Sequence, residues 1–164
     1  MLSKTMLAEM NEQIKHELFS AYLYLSMAAH FETANLTGFG SWMRFQAKEE
    51  QEHAMKFFDH IIDRGGKVAL QAIDQPAVEF GLPTAIFEEV LAHEQKVTAR
   101  IHLLYELAIK DADYASQVFL NWFVGEQVEE EKNATTILET LKLIGEKSNA
   151  IFQLDHSLSK RGEE

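Results

Sequence analysis

The chain has 164 residues, with 46% hydrophobic and 25% charged side chains, and is long enough to bury a sizeable core. It carries 15 basic and 26 acidic side chains, a formal net charge of −11 that attracts cations and repels nucleic acid and anionic membranes. There is no cysteine, which excludes disulfides, thiolate nucleophiles, iron–sulfur clusters and thiolate zinc sites; any metal must be held by oxygen and imidazole, donors that suit iron, manganese, magnesium or calcium.

The opening Met1-Leu2-Ser3-Lys4-Thr5-Met6 lacks the apolar run of a secretory signal, and no stretch approaches a membrane span. These features predict a cytoplasmic protein with neither membrane nor nucleic-acid partners. Apolar residues then recur at helical spacing along nearly the whole chain. A first helix is predicted from Thr5 to Thr33, capped by Ser3 or Thr5 and broken by Asn35-Leu36-Thr37-Gly38. A second runs from Phe39 to Asp63 and stops at Arg64-Gly65-Gly66. Lys67 to Pro83 has no helical period and reads as an extended connection. A third helix begins with Thr84 as cap and ends near Lys110-Asp111. After a turn at Asp111-Ala112-Asp113 the fourth continues to about Gly145, and a short fifth spans Asn149 to Ser159.

Loop length sets the topology. Short turns make helices one and two antiparallel, and likewise three and four. The connection, at ~3.3 Å per residue, reaches ~55 Å, more than the ~38 Å of a 25-residue helix. It can cross the bundle and leave helices two and three parallel. The expected fold is all-α, one domain over residues 1–164: a four-helix bundle with one long crossover between helices two and three and a short C-terminal fifth helix.

The chemistry lies in the inward seams, traced by alternating steps of three and four. Helix one gives Met10, Ile14, Glu17, Ala21, Tyr24 and Ala28; helix two gives Phe39, Met43, Gln46, Glu50, His53 and Phe57. Helix three gives Phe87, Leu91, Glu94, Thr98, Ile101, Tyr105 and Ala108; helix four gives Leu120, Phe123, Gln127, Glu130, Ala134, Ile137, Leu141 and Ile144. Each apolar seam holds one glutamate near its middle, and helix two adds His53 three residues after Glu50, on the same face. Burying a lone carboxylate costs several kcal/mol or forces protonation, and four together repel strongly. A multivalent cation is the natural compensation, and oxygen-rich ligands with one imidazole suit paired iron.

The segments Asn11-Glu12-Gln13…Glu17, Lys48-Glu49-Glu50-Gln51-Glu52-His53, His93-Glu94-Gln95 and Gly125-Glu126-Gln127-Val128-Glu129-Glu130-Glu131 resemble those of bacterial non-haem ferritins along essentially the whole chain. Ferritin-like folds are themselves the standard example of a bundle with one long crossover. The resemblance implies an iron-storage protein and ferroxidase that oxidises Fe(II) with O2 or hydrogen peroxide. It implies Glu17, Glu50 and His53 around a first iron and Glu50, Glu94 and Glu130 around a second, with Glu50 bridging and Gln127 beside the second. It further implies a third iron position lined by Glu49, Glu126, Glu129 and Glu130, a nearby Tyr24 able to supply an electron, and a homo-oligomeric 24-subunit shell. Trp122 resembles a family aromatic near the centre and reads as packing. His16, His30, His60, His93, His102 and His156 read as surface or helix-end residues. Alternatives are a haem-containing bacterioferritin or another di-iron carboxylate peroxidase. Both place a second Glu-x-x-His on helix four, where this chain has Gln127-x-x-Glu130. Gln51-Glu52 stand where bacterioferritin has its haem-ligating methionine, so no haem is expected.

Overall fold

The computed structural model describes residues 1–145 and 149–161; residues 146–148 and 162–164 of the single-domain reading lie outside the described residues. It contains five helices: α1 (Lys4–Thr33), α2 (Thr37–Asp63), α3 (Pro83–Lys110), α4 (Tyr114–Ile144) and α5 (Ala150–Leu158), with no strand among the described residues.

Ser3 caps α1, its side chain accepting from the Met6 amide, and Asp113 caps α4 by accepting from Ser116. Two boundaries differ from the sequence reading. α2 starts at Thr37 rather than Phe39, with Gly38 inside the helix. A Cβ on Gly38 would stand 1.7 Å from the Asp155 carbonyl oxygen of α5, so the glycine serves a close approach of backbone rather than a break. α3 starts at Pro83, with Leu82 rather than Thr84 in the extended capping position. Proline suits the first turn because its missing N–H would have had no intrahelical partner there.

Two apolar clusters occupy opposite ends of the bundle. One contains Tyr24, Met27 and Phe31 of α1, Phe39 and Met43 of α2, Ile86 and Phe87 of α3, Ala134, Ile137 and Leu141 of α4, and Ile151 and Leu158 of α5. The other contains Met6, Met10 and Ile14, then Ala54, Phe57 and Ile61, then Val97, Ile101 and Leu104, and finally Leu120 and Phe123. α1 and α4 run from the second cluster to the first, whereas α2 and α3 both run from the first to the second. The crossover is therefore full length and α2 and α3 are parallel. Its path is fixed along α1. Asn11 accepts from the Ala69 amide at 2.7 Å near the start of α1, Ser26 Oγ donates to the Ala77 carbonyl at 2.6 Å, and His30 meets Phe80 at 5.6 Å near the end. On all four long helices, the buried residues between the two clusters are polar.

Candidate metal centre

That polar layer is buried. Glu17, Glu50, His53, Glu94, Gln127 and Glu130 are each at most 4% exposed, and Gln13, Gln46 and Tyr24 are fully buried. Helical spacing brings them to one height, because each helix supplies its polar residues one turn beyond an apolar cluster. A ligand atom from each of Glu17, Glu50 and His53 lies within 4.8 Å of the other two, and the same holds for His53, Glu126 and Glu130. His53 stands between the groups: Nδ1 is 3.5 Å from Glu50 Oε2 and Nε2 is 3.8 Å from Glu126 Oε1. The Trp122 ring, half exposed, packs edge-on against His53 at 5.3 Å.

The carboxylates are held by neutral donors. Gln13 Nε2 donates to Glu17 Oε1 at 2.8 Å, and Gln46 Nε2 donates to Glu50 Oε1 at 3.1 Å. Arg100 Nε donates to Gln13 Oε1 at 3.0 Å. A guanidinium can only donate, so it fixes the Gln13 amide with its NH2 toward Glu17. Glu17 Oε2 is left buried with no hydrogen-bond partner among the described residues. Glu94 is more fully engaged: Tyr24 donates its hydroxyl to Oε1, and Gln127 Nε2 donates to Oε2 at 3.2 Å. Glu94 belongs to neither three-atom group.

Burial pushes the Glu17 and Glu50 carboxyls well above the usual range, and neighbouring carboxylates push them further: Glu50 acts on Glu17, Glu94 and Glu130 on Glu50. Glu94 is raised by burial, against the pull of its bonds to Tyr24 and Gln127. Glu130 is pushed up to about 7 by burial, then by Glu94. Burial and Glu94 likewise raise the Tyr24 hydroxyl. Among the described residues, no lysine or arginine pairs directly with these four glutamates, so their deprotonated forms have no direct cationic partner from those side chains. The layer can bind one or two hard cations through carboxylate oxygens and a single imidazole.

Glu49, Glu126 and Glu129 lie at the edge of this layer. Glu129 is exposed, Glu126 is half buried and faces His53, and Glu49 accepts from Arg161 Nη2 at 2.5 Å. Burial raises the Glu49 carboxyl even with Arg161 beside it. Two of the histidines expected at the surface are contacts between helices. His93 Nε2 is 2.7 Å from Ser20 Oγ, and burial lowers its pKa to about 4; His60 stacks on Phe119 at 4.1 Å. The supporting role of Gln13 was not read from its seam, yet a signal existed: both Glu17 and Glu50 have a glutamine four residues earlier, one helical turn away.

Comparison with known proteins agrees with this arrangement. The ferritin-like domain family model matches residues 7–144. The bacterial non-heme ferritin of Staphylococcus haemolyticus is 42% identical over 161 residues, covering 98% of this chain and 97% of that protein. That of Staphylococcus aureus is 40% identical over the same length and coverage. The crystal structure of an open-pore ferritin from the hyperthermophilic archaeon Archaeoglobus fulgidus superposes with a TM-score of 0.96 at 50% identity, covering 98% of each chain. With five helices in this order, one full-length crossover and a buried glutamate layer, the chain belongs to the ferritin family.

Proposed function

We propose that this chain is an iron-storage ferritin that oxidises Fe(II) within each four-helix bundle and stores Fe(III) inside a homo-oligomeric shell. The observation that carries the reading is four buried glutamates and one histidine at a single height without a cationic side chain among them. Uncompensated, such a layer is expensive; two Fe(II) ions supply the missing positive charge. Glu17, Glu50 and His53 hold one iron, and Glu50, Glu94 and Glu130 the other, with Glu50 shared and Gln127 beside the second. Glu94 changes partners on metal binding, exchanging one of its bonds from Tyr24 or Gln127 for the cation.

Each Fe(II) gives up one electron. O2 takes the two electrons with two protons to become H2O2, or H2O2 takes them with two protons to become two waters. Anionic ligands favour the more highly charged Fe(III) and so drive the oxidation. When a third Fe(II) occupies the rim, three iron electrons and one from Tyr24 take O2 with four protons to two waters, the Tyr24 proton passing to its hydrogen-bonded partner Glu94. Glu49, Glu126 and Glu129, with Glu130, form a third position at the rim. We assign the chain to the cytoplasm; no helix among the described residues is long and apolar enough to cross a membrane. Gln51 and Glu52, both exposed, offer no haem ligand.

An aerobic Fe(II) titration with native mass analysis tests the reading. Fast absorbance growth saturating at two irons per chain is expected, on a particle of roughly 450 kDa built from twenty-four 18.7 kDa chains, with no Soret band. A chain that stays monomeric or dimeric ends the storage reading; iron that oxidises no faster than in buffer ends the ferroxidase reading.

A further inference from the structure

The rim carboxylate Glu49 already holds a cation, and it comes from the far end of the chain. Arg161, just beyond α5, donates from Nη2 to Glu49 Oε2 at 2.5 Å. Its guanidinium lies 4.4 Å from the centre of the Trp42 ring and 4.8 Å from that of Phe45. Trp42, Phe45 and Glu49 follow one another by three and four residues, so a single face of α2 presents two aromatic rings and a carboxylate to one planar cation. A permanently charged, weakly hydrated guanidinium is the side chain suited to such a slot. The two partners are only 18% and 28% exposed, so solvent screens the pair incompletely. Arg161 Nη1 is buried with no hydrogen-bond partner among the described residues. Among the described residues its hydrogen-bonded acceptor is Glu49, and its charge also reaches Glu130.

Arg161 reaches this slot because α5 is tied to the start of α2. The Phe39 amide donates to Asp155 Oδ1 at 2.9 Å, Gly38 admits the α5 backbone, and Ile151 and Leu158 join the apolar cluster. The seating of the C-terminal helix and the state of Glu49 are therefore mechanically connected.

We propose that Arg161 is a positioning residue that competes with metal for Glu49, so that filling the rim position requires the guanidinium to leave its oxygen. The inference rests on the reading of Glu49, Glu126 and Glu129 as a metal position. A divalent ion on Glu49 would sit within a few ångströms of a fixed positive charge, and the two repel. The pair therefore weakens the rim position relative to the buried layer, and iron fills the layer first. Coupling of this kind is reciprocal: the factor by which Arg161 weakens metal binding equals the factor by which metal loosens Arg161. Metal at the rim accordingly loosens the end of α5.

Zn(II), a divalent probe that is not oxidised, is titrated calorimetrically into the full-length assembled protein as wild type, Arg161→Gln, Arg161→Lys and the double variant Arg161→Gln with Glu49→Gln. Amide hydrogen exchange of residues 149–161 is followed alongside. The wild type is expected to show a tight class and a weaker one. Arg161→Gln tightens the weaker class on the order of tenfold, tightens the tight class far less through Glu130, and loses the gain at the weaker class when Glu49 is also replaced. Saturating Zn(II) speeds exchange at the end of α5 in the wild type. If Arg161→Gln disturbs α5, Arg161→Lys decides, because it keeps the charge while losing the planar stack; a smaller tightening of the same class is expected. A weaker class of equal affinity in all Arg161 variants overturns the inference while leaving the rim position intact. Tightening that survives loss of Glu49 also overturns it. Absence of any class beyond the tight one in every variant overturns the rim reading and this inference together.

Discussion

Glu50 and Glu49 are adjacent in sequence and differ in everything that decides their chemistry. Glu50 is 2% exposed, accepts from a neutral glutamine, and has Glu17, Glu94 and Glu130 as its charged surroundings. Glu49 is 28% exposed at its side chain and is paired with an arginine. One step along a helix turns a side chain by about 100°, enough to move it from the seam to the rim. The buried group stores repulsion that a cation relieves, and the rim group is already neutralised by the protein. The first should therefore bind metal tightly and react; the second should bind weakly and modulate.

Removing Glu50 should have the largest effect. Glu50→Ala takes a carboxylate from both proposed irons, and loss of a ligand or its support commonly costs ten- to a hundred-fold. Fast oxidation in stopped-flow absorbance should fall by orders of magnitude. The metal-free fold should be unaffected or more stable, because a buried repelling group has gone. Glu49→Ala should spare the fast phase. If both variants abolish it equally, the division into buried and rim groups is wrong.

A pH series separates the groups next. The raised carboxyls are protonated more readily in the fold than in the unfolded chain, so the stability they contribute is fully present below their ordinary value and is lost as pH rises through the raised one. For Glu130 that window runs from 4.5 to about 7. The metal-free protein should therefore lose stability across it, by about 3 kcal/mol from Glu130. Zn(II) should restore more stability at pH 7.5 than at pH 5.5, since it binds the deprotonated form. Thermal unfolding with and without Zn(II) reads this directly. Glu130→Gln should flatten the metal-free slope.

Much of the buried group was legible in the sequence because one physical rule governs it: a charge on an apolar seam is buried, and four seams in register bring four charges together. The crossover was legible from its length. What failed to show were contacts between residues far apart in the chain. Gly38 reads locally as a helix breaker, and only the Asp155 backbone packed against it explains why it lies inside α2. Pro83 could have corrected the start of α3, since proline favours the first turn, but Thr84 offered the commoner capping side chain. The Arg161–Glu49 pair spans 112 positions, and no periodicity links its partners. His93 looked off-seam because its partner, Ser20, is on a helix that packs laterally rather than across the core.

Within the buried group, the second line of support can be tested with Gln13→Leu. This change keeps an apolar-compatible volume but removes the donor to Glu17 Oε1. Glu17 then has neither oxygen held, its protonated form is favoured further, and its orientation toward the metal is no longer fixed. Zn(II) affinity of the tight class should drop about tenfold, between the effect of losing a ligand and that of a rim substitution. Arg100→Leu should give a weaker version of the same loss, because Arg100 acts on Glu17 only through the Gln13 amide.

Glu126 should show the smallest effect on oxidation itself and the most specific one on its outcome. It is 21% exposed and lies 3.8 Å from His53 Nε2, so it touches the buried group from the rim side. Glu126→Ala leaves Glu17, Glu50 and His53 with their atoms and their glutamine supports, and the initial rate should change by no more than a few-fold. Under the proposed function, the substitution removes one carboxylate of the rim position, the one nearest His53. Regeneration of the fast phase after a first dose of two irons per chain should slow, and the ratio of iron oxidised to O2 consumed should shift. Repeated-addition stopped-flow with an oxygen electrode measures both. A variant that regenerates at the wild-type rate with unchanged stoichiometry would show that the rim takes no part in iron passage. A variant that loses its first fast phase would show that Glu126 belongs with Glu50 on the buried side of the divide.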